Sequence, residues 1–439
     1  MSGIKPSRRL FMKTAAAASA ATIGSLAPST VLGANDRINF GVIGVGGMGR
    51  GHLNNLLTNS AEDNSRVVAV CDVYRRRLTN AENTVKEKGQ AAEGYLDYRK
   101  VIDRNDVDAV LIATPDHWHA KIAIDAMEAG KDVYLEKPMT LNEEQAVAVR
   151  NTVRKTGRIL QVGPQYTSES QYWNAHELIT NGRVGKVTWA QGSYNRNVRG
   201  GAFNKWFKID ESAGPAMSGE DYIDWDMWLG HEWGLAPRRP WNPEHFFRFR
   251  KYFQYNGGVA TDLLYHILAP LLIAIAGPNG QYPQRVNANG GLYILKDGRD
   301  IPDVFMMAID YPGEFTVYLG SVLTNNTQQP TRIYAQYGTL DLSNHGNLEI
   351  EGNGDFKQEF RDNFEGYDQV TVHSERINGH HHMMERNFMD AIRKGEKLYC
   401  NAELGCATMV AIKMGVEAYR KGSTLMWDAT NEKVITGQG

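Results

Sequence analysis

Six residues carry the clearest chemical meaning in this chain. Gly44-Val45-Gly46-Gly47-Met48-Gly49 fits G-x-G-x-x-G and directly follows the apolar run Ile38–Ile43. Such a turn suits a pyrophosphate. Gly44 permits the tight turn, Gly46 lets the backbone approach the phosphates, and Gly49 lets the next helix pack on the strand. Gly47 and Met48 complete the cradle, and the helix that follows offers free N–H groups and its positive dipole end. A second apolar run, residues 66–71, ends in Asp72, 23 residues after Gly49. That is close to the offset of about 20 at which a carboxylate bonds a ribose 2′-hydroxyl. A carboxylate there repels a 2′-phosphate, so the expected cofactor is NAD, with NADP less favoured. Arg75, Arg76 and Arg77 leave some room for NADP but read first as a solvated helix face.

Two more apolar runs end in residues with chemistry. Residues 108–113 lead into Thr114-Pro115-Asp116-His117-Trp118-His119, and residues 131–135 lead into Glu136-Lys137-Pro138. Short apolar runs alternating with helical patterns predict a parallel sheet covered on both faces. Ligands of such sheets lie beyond the carboxyl ends of the strands. Residues 44–49, Asp72, Thr114 to His119 and Glu136 to Pro138 should therefore converge on one crevice. His117 and His119 would share a face on an extended loop, but no third ligand lies nearby and no metal is expected.

In order and spacing, the glycine loop, Cys71-Asp72, Ala113-Thr114-Pro115-Asp116-His117-Trp118-His119 and Leu135-Glu136-Lys137-Pro138 resemble the Gfo/Idh/MocA oxidoreductases. The resemblance covers residues 35 to about 165, and Glu-Lys-Pro is more specific than the glycines. It implies hydride transfer from an alcohol, which needs a base for the hydroxyl proton and a nicotinamide C4 beside the C–H bond. It implies Lys137 beside the nicotinamide, where burial next to a cationic ring lowers an amine's pKa toward working pH. Pro138 restricts Lys137 to an extended backbone. Read from its neighbours alone, Lys137 would be an exposed surface lysine. Glu136 would hold that amine or bind the cofactor. Thr114 and Pro115 fall on the cofactor side, and the resemblance makes His119 a cofactor-side or helix-start residue.

Further along, residues 257–266 read as a glycine turn opening an apolar helix, with Asp262 and His266 four apart on one face. Pro270 removes the helical partner of the His266 carbonyl, so a kink is expected just past it. On the residues alone this is a capping Asp and a core His. The family places an Asp-x-x-x-His on the substrate side, with the His as acid/base beside the lysine, which assigns Asp262 and His266. It also places substrate contact near Gln165 and Tyr166. The stretch 241–255 is aromatic and basic, and its ring faces and donors suit a sugar, with Arg248 the substrate-binding candidate. Core packing accounts for most of those rings.

The fold class expected is α/β. A Rossmann doubly wound parallel sheet over 35–165 precedes an α+β domain over 166–439, built on a large, mainly antiparallel sheet. Runs between 284 and 342 alternate as strands of that sheet would, and the resemblance makes the sheet a homo-oligomer interface. Residues 383–421 read as two helices, expected to pack back toward the first domain. His380, His381 and His382 point in different directions at a helix start, so they too suggest no metal, with one of them near the substrate.

Residues 1–34 read as an export address. Ser7-Arg8-Arg9-Leu10-Phe11-Met12-Lys13 followed by a mildly apolar, Ala-rich stretch resembles a twin-arginine signal peptide, which implies a periplasmic protein. The whole chain has 439 residues and 48 Lys+Arg against 50 Asp+Glu, a net charge of −2, which argues against nucleic acid as partner. No later apolar run reaches the roughly 18 residues that span a bilayer. Three cysteines do not make a disulfide scaffold. An exported enzyme meets no free NAD pool, so its NAD should be tightly held and restored in each cycle. Two designs do this. One is an oxidoreductase acting on a ring hydroxyl or ketone of a sugar or glycoside, and this is the expected function. The other is redox-neutral oxidation and elimination, as in NAD-dependent glycosidases of the same superfamily. A non-catalytic nucleotide-binding scaffold is the third class, and the presence of both Lys137 and His266 speaks against it.

Overall fold

The computed structural model describes residues 10–12, 36–374 and 377–437. Six parallel strands form the first sheet, in the order Glu93–Tyr95, Ser65–Cys71, Ile38–Ile43, Ala109–Ile112, Asp132–Leu135 and Leu160–Val162. The chain starts in the middle and builds outward in both directions. The reversal falls between Ile38–Ile43 and Ala109–Ile112, which pair directly, with Ile43 opposite Ile112. A crevice opens at such a point because the two flanking crossovers leave toward opposite faces. The central strands are apolar along their length because helices bury both faces. Phe40, Val42, Ala109, Val110 and Leu111 are all buried.

The second sheet has eleven strands, mostly antiparallel. Its middle is Val187–Ser193, Phe315–Val322 and Val304–Tyr311, where the first two run parallel and the last two antiparallel. Leu10–Met12 lies at the outer edge and pairs in parallel with Gln369–His373. The rest of the expected leader lies outside the described residues. One face of this sheet is backed by helices, among them Tyr265–Ala276 and Ala402–Lys421, which touch each other.

The two C-terminal helices return to the nucleotide-binding half. His380–Lys394 packs on Gly47–Thr58, and Arg393 Nη2 donates to the carbonyls of Asp63 and Asn64. Ala402–Lys421 packs on Glu143–Thr156, and the Val162 N–H donates to the Cys400 carbonyl. Local sequence fixes where these helices begin and end. Asn142 and Asn401 each accept a backbone N–H three residues on, and Gly157 and Gly422 close the helices in the left-handed conformation.

The helix Tyr265–Ala276 carries Pro270 inside it, and the departure from α geometry lies upstream, where Ala260–Leu264 forms a π-helical turn. Asp262 lies in this widened turn, a geometry frequent at functional sites.

Candidate active site

The glycine loop is built for close approach. Gly44 has φ +85°, and a Cβ there would stand 2.8 Å from the Ala113 carbonyl. A Cβ on Gly49 would stand 1.7 Å from the Gly44 oxygen, so only glycine lets helix and strand meet. Gly47 has open space where a side chain would be, and Met48 is half-exposed at the mouth. Gly46 caps the helix Gly47–Thr58 with no side-chain partner, which leaves backbone N–H groups facing the crevice. Asp72 lies at the end of its strand and accepts N–H bonds from Val45 at 3.0 Å and Tyr74 at 2.9 Å. Each oxygen keeps a further acceptor site for a ribose hydroxyl. Burial raises the Asp72 carboxyl, opposed chiefly by the cation of Arg77. Gly44, Gly46, Asp72, Thr114 and Pro115 line one cavity of about 290 Å³, and the buried Thr114 hydroxyl finds no partner among the described residues. A cradle that any Cβ would fill, beside an unpartnered hydroxyl and a carboxylate, fits an extended dinucleotide.

His119 does not reach into that cavity. Its ring nitrogens lie 2.7 Å from the Pro138 carbonyl and 2.8 Å from the Thr114 carbonyl. It therefore ties together the two turns that border the crevice, from the first turn of the helix Asp116–Glu128, the helix-start place that is one of its two expected positions. His117 is fully buried against the Trp228 carbonyl at 2.9 Å, and burial lowers its pKa to about 4.

Lys137, Asp262 and His266 meet, although 125 residues separate the first two. Lys137 Nζ donates to the Asp262 carbonyl at 2.9 Å and to its carboxylate at 3.2 Å. The lysine side chain is largely buried, not the exposed group its neighbours suggest. Arg250 Nε donates to the same carboxylate oxygen at 3.1 Å. Burial alone would raise Asp262, but Lys137 and Arg250 outweigh it and hold the carboxyl well below the usual range. His266 behaves oppositely. Burial, reinforced by the Lys137 cation, holds it well below the ordinary imidazole value, and its Nδ1 has no partner among the described residues. An imidazole held neutral by burial, with its Nδ1 unpartnered among the described residues, thus stands beside the Lys137 amine. That arrangement can accept a proton from a hydroxyl while the ammonium donates to its oxygen.

Arg248 is not part of this cluster. Its guanidinium donates to the Phe207 carbonyl and pairs with Glu244, whereas Arg250, two residues on, reaches Asp262. The 241–255 stretch gave no sign of which arginine would turn inward. Asp116 was also missed. It accepts from Asn256 at 2.7 Å, and burial together with the Asp262 charge raises it to about 7, against the pull of Arg250.

Glu136 faces away from the Lys137 amine. Its Oε2 accepts the Lys137 backbone N–H at 3.1 Å, and its Oε1 lies 2.8 Å from His52 Nε2. His52 Nδ1 in turn lies 2.5 Å from Glu385. Burial would strip the proton from His52, but hydrogen bonds to the two carboxylates outweigh it and raise its pKa to about 10. Glu385 could have been noticed as an acid on the apolar stripe of its helix, beside Met384 and Phe388. His52 sits three residues past Gly49 and carried no such signal.

Gln165 and Tyr166 border a second cavity, of about 500 Å³, with Glu169, His345, His380 and His381. The Tyr166 ring lies 5.8 Å from His266, and Tyr194 lies 5.9 Å from it. Tyr166 thus stands between His266 and a polar cavity. Most other rings of 222–255 pack together as a small core around Trp225, Trp228 and Phe246.

Comparison with known proteins agrees with this geometry. Residues 38–164 match the family model "Oxidoreductase family, NAD-binding Rossmann fold". Scyllo-inositol 2-dehydrogenase (NAD(+)) of Bacillus subtilis is 30% identical over 204 residues, 46% of this chain and 53% of that protein. Alpha-N-acetylgalactosaminidase of Shewanella oneidensis is 28% identical over 182 residues, 40% of this chain and 38% of that protein. These matches thus span about half or less of the curated relatives' length. The solved WlbA dehydrogenase from Bordetella pertussis, in complex with NADH and UDP-GlcNAcA, superposes with TM-score 0.62 at 17% identity, covering 89% of this chain and 98% of that one. It shares the fold. Residues 38–164 thus match the NAD-binding Rossmann domain of the Gfo/Idh/MocA oxidoreductases, whose cofactor is NAD.

Proposed function

We propose that the protein transfers a hydride between NAD and a ring hydroxyl or ketone of a sugar or glycoside. The observation that carries this reading is the unpartnered Nδ1 of His266, on an imidazole that burial holds neutral, beside the Lys137–Asp262 pair. Bound NAD supplies the hydride acceptor. His266 Nδ1 takes the hydroxyl proton, and Lys137 donates to the same oxygen as charge develops on it. Asp262 and Arg250 fix where the Lys137 amine points. Tyr166 and Tyr194 offer ring faces to the apolar side of a sugar. The inositol and nucleotide-sugar dehydrogenases above support a polyol or sugar as substrate.

A second reading has its own support in the galactosaminidase and in glycosyl hydrolase family 109 proteins of Shewanella, 27–28% identical to this chain. In it, the hydride is taken and returned around an elimination that expels the aglycone. The leader-like residues 1–34 favour export with a captive NAD under either reading. The exposed Tyr318 and Met306 on the large sheet favour self-association there.

The test is to purify the protein without added cofactor, identify the nucleotide released on denaturation, and follow absorbance at 340 nm with a panel of sugars and glycosides. Stoichiometric NAD and a 340 nm change that is lost in Lys137→Ala and His266→Ala support the oxidoreductase. Aglycone release without net NADH supports the glycosidase. NAD-loaded protein silent toward the whole panel, with biological function retained in Lys137→Ala, overturns both.

A further inference from the structure

The histidines of the C-terminal helix were set aside as metal ligands because consecutive residues diverge. Tertiary structure supplies His381 with other neighbours. His52 comes from the helix after the phosphate loop, Glu136 from the end of a nucleotide-domain strand, and His381 from the start of His380–Lys394. One ligand atom from each lies within 4.8 Å of the other two. His52 and Glu136 are already 2.8 Å apart, and the His52 and His381 rings meet edge-on at 5.3 Å. The His381 Nδ1 is buried with no partner among the described residues. Glu385 holds the far nitrogen of His52 at 2.5 Å.

We propose that His52, Glu136 and His381 form a binding site for a divalent transition metal, zinc first. Two imidazoles and one carboxylate are a zinc donor set that leaves a coordination position open. A carboxylate behind a ligating histidine fixes its orientation and raises its basicity, which is the position Glu385 holds. The metal takes the place of the proton that otherwise bridges His52 and Glu136. His381 also lines the cavity shared with Tyr166 and Gln165, from which an oxygen donor can complete the coordination. His382 is excluded from the site, because its Nε2 lies 2.8 Å from Asp63.

The site is independent of the hydride-transfer reading. Protein that binds zinc here but turns over no sugar keeps this inference and loses that one, and the converse also holds. The experiment uses the full, NAD-loaded chain, dialysed against a chelator and titrated with zinc chloride against a chromophoric competitor. We expect one zinc per chain, with binding lost in His381→Ala and Glu136→Gln and kept in His382→Ala. Glu385→Gln should weaken it by roughly 10- to 100-fold, as outer-sphere partners do. X-ray absorption on wild-type zinc protein reads two imidazole ligands directly and needs no variant to fold. Wild-type protein with no stoichiometric zinc overturns the inference, and so does zinc bound equally by the His381→Ala and His382→Ala proteins.

Discussion

Asp262→Asn removes one negative charge and almost no volume from the centre of the site. In the wild-type protein the carboxylate accepts from both Lys137 at 3.2 Å and Arg250 at 3.1 Å. The three side chains are only 11%, 11% and 20% exposed, so water cannot replace the lost charge. Breaking a buried pair by removing one partner costs about 3–5 kcal/mol. Asp116 moderates this. It interacts with Lys137 and Arg250, and the Asp262 charge helps hold it near 7. Once that charge is gone Asp116 ionises more readily and recovers part of the pairing, so the lower end, about 3 kcal/mol, is expected. The Lys137 amine keeps one anchor, the Asp262 carbonyl at 2.9 Å. Its aim then loosens without being lost, which corresponds to a fall in kcat of up to roughly 100-fold. Chemical denaturation of the NAD-free protein and initial rates on a responsive substrate measure the two effects. The double variant Asp262→Asn, Asp116→Asn should lose more stability than the two single variants added together. Additive losses, or Asp262→Asn with wild-type stability and turnover, would refute the charge network described here.

Three further outcomes follow from the geometry. Gly49→Ala places a methyl group 1.7 Å from the Gly44 oxygen, so NAD affinity measured by fluorescence titration should fall at least tenfold, and an unchanged affinity would contradict the close packing. Asp116 is raised from 3.8 to about 7, so the unfolded chain releases this proton first. Its contribution makes stability decline as pH rises between those values, and Asp116→Asn should flatten the slope of denaturation midpoint against pH across that window. Arg250→Ala should reduce turnover well below Arg248→Ala, because only Arg250 touches Asp262; equal losses would place the wrong arginine at the site.

Much of the nucleotide-binding half was legible in the sequence. Its central strands are largely buried and therefore nearly continuous apolar runs, and its ligand turn requires glycine at backbone positions that no other residue tolerates. Gly44, Gly49 and Asp72 could be read because their roles depend on local backbone geometry and strand order. Lys137, Asp262 and His266 could be named only through the resemblance, since nothing within a few residues of Lys137 reveals that it is buried.

What only the tertiary structure decided is which side chains share a charge environment. Arg248 pairs locally with Glu244 four residues before it, but only the tertiary fold brings Arg250 to Asp262. His119 finds its two carbonyl partners, Thr114 and Pro138, only because two turns close onto it. His52, Glu136, His381 and Glu385 come from three distant segments, and their contacts form only when the C-terminal helix folds back onto the nucleotide domain. Local backbone geometry is written in neighbouring residues. The protonation and partners of a buried group are set by whatever the rest of the chain brings within a few ångströms, and no local pattern records that.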